Sequence, residues 1–169
     1  IVHGFVTIQT MSSRENFRGD LSWGEKWERI IGMYMSISGL DNISFNKDYK
    51  WDIKGIKDSK DITFEIKSDR YKNTGNMALE IKDAGKPSGI SKSEADMFIY
   101  NYTNLDDNFI YLFFIEMPKL RQILKDNYSN LRIVNGGDND EAEIILLPMK
   151  DYKSHFTMRK IPKVSWTDL

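Results

Sequence analysis

Apolar and polar residues recur along this chain with two different periods, and the switches between them outline its elements. Between Ser22 and about Gly39, the residues Trp23, Trp27, Ile30, Ile31, Tyr34, Met35 and Ser38 fall on one helical face. Ser22 suits the N-cap, and Glu25 three positions on completes a capping box. "YKWDIKGI" and "DITFEIKSD" then alternate with period two across a short polar turn, which predicts a β-hairpin. "NMALEIKDA" predicts a third strand after the turn "RYKNTG". "GKPSGI" reads as a loop, and "SKSEADMFIYNY" as a helix with Ser91 as N-cap and Glu94 at the reciprocal capping position. "FIYLFFIE" is an unbroken apolar run of the kind found in strands buried on both faces. "MPKLRQILKDNY" predicts a helix started by Pro118.

"LRIVNGGDNDEAEIILLP" holds one or two short strands around a Gly/Asn/Asp turn, and the basic tail from Met149 predicts one more short helix. Residues 1–10 alternate loosely enough for a short strand or an ordered arm, followed by the loop "SSRENFRGD". The order helix, three strands, helix, strand, helix, strand describes an α/β (α+β) fold, a mixed sheet flanked by helices.

Composition narrows the class. The 169 residues are expected to form one domain, 1–169, with enough chain for a substantial core. Apolar residues make up 40% and charged residues 29%, ordinary for a globular protein. The most apolar stretches, "FIYLFFI" and "IILL", are far shorter than the roughly 20 residues a membrane helix needs. With no signal-peptide pattern either, a cytoplasmic protein without a membrane partner is expected. The absence of cysteine excludes disulfides, zinc ribbons and iron–sulfur clusters. A net charge of −1 does not announce a nucleic-acid binder, but residues 150–163 carry Lys150, Lys153, Arg159, Lys160 and Lys163 against Asp151 alone. Lys119, Arg121 and Lys125 on the predicted helix could also meet phosphates, or simply solvate it.

Candidate chemistry lies in the hairpin. Strand residues two apart share a face, so Glu65 and Lys67 project side by side, and Asp52 on the preceding strand can be brought against them. Ile62, Phe64 and Ile66 take the opposite face, as Trp51 and Ile53 do relative to Asp52. Two carboxylates and an ammonium on one spot suit Mg²⁺-dependent phosphodiester hydrolysis. Mg²⁺ takes oxygen ligands and keeps several waters, so Asp52 and Glu65 with the backbone carbonyl of Ile66 would suffice. Lys67 would orient or help deprotonate the attacking water and stabilise the developing charge. No phosphate-cradling Gly-rich loop is present, and neither histidine has a partner at metal-ligand spacing.

An acid on one strand followed by Glu-x-Lys on the next resembles the PD-(D/E)XK nuclease superfamily, with Asp52, Glu65 and Lys67 as its catalytic residues. Trp51 stands where a proline often precedes the first acid. The resemblance implies a restriction-endonuclease-like sheet and a helical glutamate ahead of the strands, which "GEKWERIIG" supplies as Glu28 or Glu25. At roughly 100° per residue from Trp27, Glu28 borders the buried face and Glu25 points more outward. "TGNMALEIKDAGKPSGISKSEAD" looks like a stretch of phage and viral members, and makes Asn76, Glu80, Lys86, Ser88, Gly89, Ser93 and Asp96 accessory candidates.

The expectation is a DNA endonuclease of phage, viral or mobile-element type, resolvase-like, structure-specific or sequence-specific. It would use Mg²⁺, with Mn²⁺ able to substitute, and no organic cofactor. Lys86, Lys92, Lys150, Lys153, Arg159 and Lys160 are the weak candidates for DNA contacts. Cutting two strands would be simplest for a homodimer. The alternatives are a catalytically silent nucleic-acid-binding protein on the nuclease fold and a nuclease acting on RNA.

Overall fold

The structure, a computed structural model, describes residues 23–46, 50–69, 74–103, 108–136 and 141–162. The expected arm at 1–10, the loop after it and the Ser22 cap lie outside these residues. Helix α1 (Trp23–Ile37) forms where the helical stripe begins, and it buries Trp27, Ile30, Ile31 and Met35. Gly39 ends it in the left-handed region (φ 92), where a side chain would be strained. Leu40 N–H then reaches back to the Met35 carbonyl at 3.0 Å and Gly39 N–H to Ser36 at 3.1 Å, the paired bonds of a Schellman cap. The cap turns the chain directly into the first strand.

The strands form two sheets. β1 (Asp41–Phe45), β2 (Ile53–Lys57), β3 (Lys60–Asp69), β6 (Met97–Thr103), β7 (Phe109–Glu116) and β10 (Thr157–Pro162) make a six-stranded sheet in the order β1-β2-β3-β6-β7-β10. β5 (Lys86–Pro87), β4 (Asn76–Asp83), β9 (Ala142–Pro148) and β8 (Arg132–Gly136) make a second sheet in that order. Every pairing is antiparallel except β3 with β6. The fold is therefore mixed α+β, mostly strands, with α1, α2 (Met117–Asn127) and the short α3 (Met149–Tyr152).

Strand alternation divides the core in two. Ile53, Phe64, Ile66, Ile99 and Leu112 face α1, while Phe98, Tyr100, Phe113 and Ile115 face the second sheet and α2. Burying side chains of this size contributes roughly 1.5–3 kcal/mol each relative to exposure. The two layers are also tied by a polar contact, since Tyr100 of β6 donates to Asp69 of β3 at 2.5 Å and accepts the Ala78 N–H of β4 at 3.2 Å. Among the described residues no helix is long and apolar enough to cross a membrane.

Several expectations need correction. "SKSEADMFIYNY" is not a helix: a single 3₁₀ turn at Gly89–Ser91 gives way to β6. Phe98, Ile99, Tyr100 and Asn101 are all buried, which two-sided burial in a sheet permits and a one-sided helix would not. Glu94 does not close a capping box either, since its N–H donates to the Lys50 carbonyl at 2.7 Å and its carboxylate pairs with Lys50 Nζ at 3.0 Å. The third strand, β4, sits in the second sheet rather than beside Glu65's strand. "DNISF" and "TMRKIP" add β1 and β10, neither of which was expected. The hairpin, the "FIYLFFIE" strand, α2, the β8–β9 pair and the short helix after Met149 form where the pattern placed them.

Candidate active site

β3 changes partners midway, and the site lies at that change. Its first half pairs with β2, ending at Ile53↔Phe64, while Phe64 through Asp69 pair with β6 on the other edge. Beyond Phe64 the β2 edge is therefore open to other groups. Alternation turns the Ile66 N–H toward that edge, and Asp52, immediately before β2, accepts it through Oδ2 at 2.6 Å. The Asp52 main chain is held as well: its N–H donates to the Phe64 carbonyl at 2.8 Å, and its carbonyl accepts Asn46 N–H at 3.0 Å. The Ile66 carbonyl faces the same edge by the same alternation.

Phe64 and Ile66 bury themselves toward α1, so Glu65 and Lys67 point to the other face, into a cleft between the two sheets. Glu65 is partly buried and Lys67 exposed. Glu28, on α1, is half-buried, and its carboxylate is close enough to Asp52 and Glu65 to repel both. The helix phase that favoured Glu28 over Glu25 agrees with this placement. Glu25 is exposed and repels Glu28, and neither of these two glutamates lines the cleft.

Three carboxylates here are harder to ionise than usual. Burial pushes Glu65 up to about 7, with repulsion from Asp52 and Glu28 adding to it; a hydrogen bond from Ser93 and the Lys67 ammonium oppose the shift. Burial likewise raises Glu28 to about 7, assisted by Asp52 and Glu25 and opposed by Arg29. Asp52 is raised by burial against the Ile66 N–H and Lys67. The site thus concentrates negative charge that Lys67 only partly offsets, and a cation would relieve it.

The cleft holds about 260 Å³, and β4 with the loop after it forms its far wall. Glu80, Ser88, Gly89, Ile90 and Lys92 line it opposite Asp52, Glu65 and Lys67. Ser88 donates to Glu80 Oε1 at 2.5 Å. Gly89 has φ 48, and a Cβ there would stand 2.5 Å from the Glu80 carbonyl oxygen, so only glycine lets this loop fold against β4.

The remaining candidates lie elsewhere. Asn76 starts β4 and binds its own turn, donating to the Thr74 carbonyl at 2.9 Å, and is not part of the cleft wall. Lys86 is exposed on β5. Lys150 and Lys153 follow β9 on the second sheet, and Arg159 and Lys160 lie on β10, three strands from β3. Lys160 covers the Phe109 ring at 3.7 Å. Asp96 accepts from Thr63 and stays outside the cleft wall. Arg121 is exposed on α2 and away from the cleft wall, and its guanidinium binds the Ile90 and Ser93 main-chain carbonyls. Ser93 is the residue whose role was least legible. It stands in the phage-like stretch, but its hydroxyl donates to the Lys50 carbonyl at 3.3 Å from a loop where the pattern predicts a helix.

A hard divalent cation is a fair test of this donor set. Among the described residues no three His, Asp or Glu side chains crowd one point closely enough to hold an ion alone. What is present is a pair of carboxylates, Asp52 and Glu65, with a main-chain carbonyl on the same edge, which fits an ion that retains much of its water. Compared with known proteins, the chain matches no protein-family model, no curated protein and no solved structure.

Proposed function

We propose that this chain is a Mg²⁺-dependent endonuclease that hydrolyses DNA phosphodiester bonds at the cleft between its two sheets, in the manner of the PD-(D/E)XK nucleases. The observation that carries the reading is the meeting of Asp52, Glu65 and Lys67 in one open cleft where β3 leaves β2, with Glu28 near enough to repel both carboxylates. Asp52 and Glu65, with the Ile66 carbonyl, would hold the ion. When bound, it supplies Lewis acidity toward the phosphate and a more acidic water. Lys67, exposed beside the carboxylates, orients the attacking water and stabilises charge on the phosphoryl oxygens. Glu28, whose carboxyl burial makes harder to ionise than usual, is the group proposed to take up the water's proton. Lys92 lines the cleft, placed to meet the sugar–phosphate chain.

Incubation with single-stranded, duplex and four-way-junction DNA and with RNA, each with Mg²⁺ or Mn²⁺, tests the reading. Metal-dependent cutting of DNA is expected, lost in Asp52→Asn and Lys67→Ala while circular dichroism stays unchanged. Undiminished cutting by both variants removes the site assignment. Binding without cutting on every substrate favours a silent nucleic-acid-binding protein, and cutting of RNA alone moves the substrate class.

A further inference from the structure

β3 and β4 carry the two walls of the cleft, yet they belong to different sheets and share no ladder. Each wall is fastened within itself. On one side Asp52 accepts the Ile66 N–H at 2.6 Å. On the other, the Ser88 N–H donates to the Ile81 carbonyl at 3.1 Å and its hydroxyl to Glu80 at 2.5 Å, so the loop that leads to Lys92 is bound to β4. Between the walls lie Leu79, Ile90 and Phe98, whose apolar packing holds the sheets together without direction.

One side chain supplies the direction. Tyr100 is 1% exposed, and its ring lies beside Phe98 in the apolar layer with the hydroxyl at its tip. A hydroxyl has one proton to donate and lone pairs with which to accept. Here the proton goes to Asp69 of β3 at 2.5 Å, and the oxygen accepts the Ala78 N–H of β4 at 3.2 Å. β9 runs along one edge of β4, while β5 covers the other only at Lys82 and Asp83, so the phenol takes a ladder position that no strand fills. Asp69 is buried too, and a charged acceptor makes the stronger bond. The tie stands beside the cleft. Asp69 is the next residue after Lys67 on its face of β3, Tyr100 the next after Phe98 on β6, and Ala78 the last before Glu80 on β4.

We infer that Tyr100 is a positioning residue that sets the width of the cleft, holding the wall of Glu80 and Lys92 at a fixed distance from the wall of Glu65 and Lys67. Its consequence for DNA rests on the proposed nuclease reading of the cleft. The ion's ligands, Asp52, Glu65 and the Ile66 carbonyl, all stand on the β3 side, so the tie governs the fit of the sugar–phosphate chain and leaves ion binding alone.

The chain has no cysteine, so spin labels can be placed in pairs without a competing thiol. Lys57→Cys on β2 and Lys86→Cys on β5, both exposed, report the separation of the two sheets by pulsed electron resonance. Tyr100→Phe keeps the ring and removes the tie. It is expected to lengthen or broaden the label distance and to lower kcat/KM on DNA by up to roughly 100-fold, mostly through KM, the range of a small misplacement across a site. Mn²⁺ affinity, read by calorimetry in the unlabelled protein, should match the wild type. Asp69→Asn keeps an acceptor for the phenol and weakens the bond, so it should fall between. Tyr111→Phe removes a β7 hydroxyl that makes no hydrogen bond among the described residues, and should change nothing. A wild-type label distance in both Tyr100→Phe and Asp69→Asn would overturn the inference. Loss of Mn²⁺ affinity in step with kcat/KM would overturn it as well, by showing that Tyr100 supports the fold at large. If the wild type cuts no substrate, the nuclease reading falls, and the label distances alone decide whether Tyr100 sets the spacing.

Discussion

Asp52 and Asp96 each accept a main-chain N–H of β3 at a place where the strand has no neighbour. Asp96 takes Thr63 N–H at 2.9 Å just before β6 begins, and Asp52 takes Ile66 N–H at 2.6 Å just beyond the end of β2. Locally the two do the same thing, ending a ladder by replacing a missing strand. Their surroundings differ. Asp96 is exposed, and the same oxygen that accepts Thr63 N–H also accepts the Thr63 hydroxyl at 2.8 Å. Asp52 is partly buried beside Glu28 and Glu65, with a cleft in front of it. An aspartate that only completes a sheet sits where water and neighbours satisfy it. One held among other carboxylates incurs an electrostatic cost that the fold alone does not require.

The sharpest way to break the comparison is to remove charge while keeping the acceptor. Asp52→Asn can still accept Ile66 N–H through its amide oxygen, so the fold should persist, while metal-dependent cutting should fall by roughly 10²–10³, the size typical of losing a central electrostatic contact. Asp96→Asn keeps its acceptor as well and should cut like the wild type. Equal activity in the two variants, in a gel assay at saturating Mn²⁺, would mean that both aspartates only finish the sheet.

Alanine at the same positions asks about stability instead. Asp96→Ala strands the Thr63 N–H and hydroxyl and should cost about 1–2 kcal/mol, toward the low end because the site is exposed to water. Asp52→Ala loses an acceptor but also removes a source of repulsion on Glu28 and Glu65. Its metal-free loss should therefore be smaller than that of Asp96→Ala at pH 8. Urea titration of both variants measures the difference, and a larger loss for Asp52→Ala would show that its hydrogen bond outweighs the repulsion.

This contrast also marks what the sequence could reveal. Glu65 and Lys67 were legible because a period of two assigns faces without knowing any partner strand, and Glu28 because helix phase does the same. Asp52 was legible only as the acid one strand earlier; that it terminates the ladder depends on where β2 stops. The partners of Asp96, Ser93 and Arg121 were not legible for one reason. Ser91 and Glu94 have capping-box spacing, a local signal, and the local signal lost to the burial of Phe98 through Asn101 in the middle of a six-stranded sheet. The assignment of β4 to a second sheet was equally hidden, because strand pairing over such separations leaves no trace in a short window. Glu80 reached the cleft nonetheless, from the facing sheet rather than the adjacent strand.

The smallest expected effect is the pH dependence of metal-free stability, and its sign separates the two aspartates' neighbourhoods most directly. Glu28 and Glu65 rise from 4.5 to about 7 on folding, so between those values the folded chain binds more protons than the unfolded one. Stability from these groups is present in full below about pH 4.5, declines as pH rises, and is lost above about pH 7. Apo protein should therefore melt a few degrees lower at pH 8 than at pH 6, on the order of 2–4 °C per kcal/mol for a chain of this size. Glu65→Gln should flatten that slope, since it removes one of the two titrating groups and its repulsion on the other. Mn²⁺ should reverse it, because an ion competes with protons for the same oxygens and binds better as they leave. Scanning calorimetry across pH 5.5–8.5, with and without Mn²⁺, reads both slopes. A metal-free melting temperature that rises with pH across this range would mean that the carboxylates at the end of β2 are relieved by charge already in the fold, and the argument that they await a cation would lose its electrostatic basis.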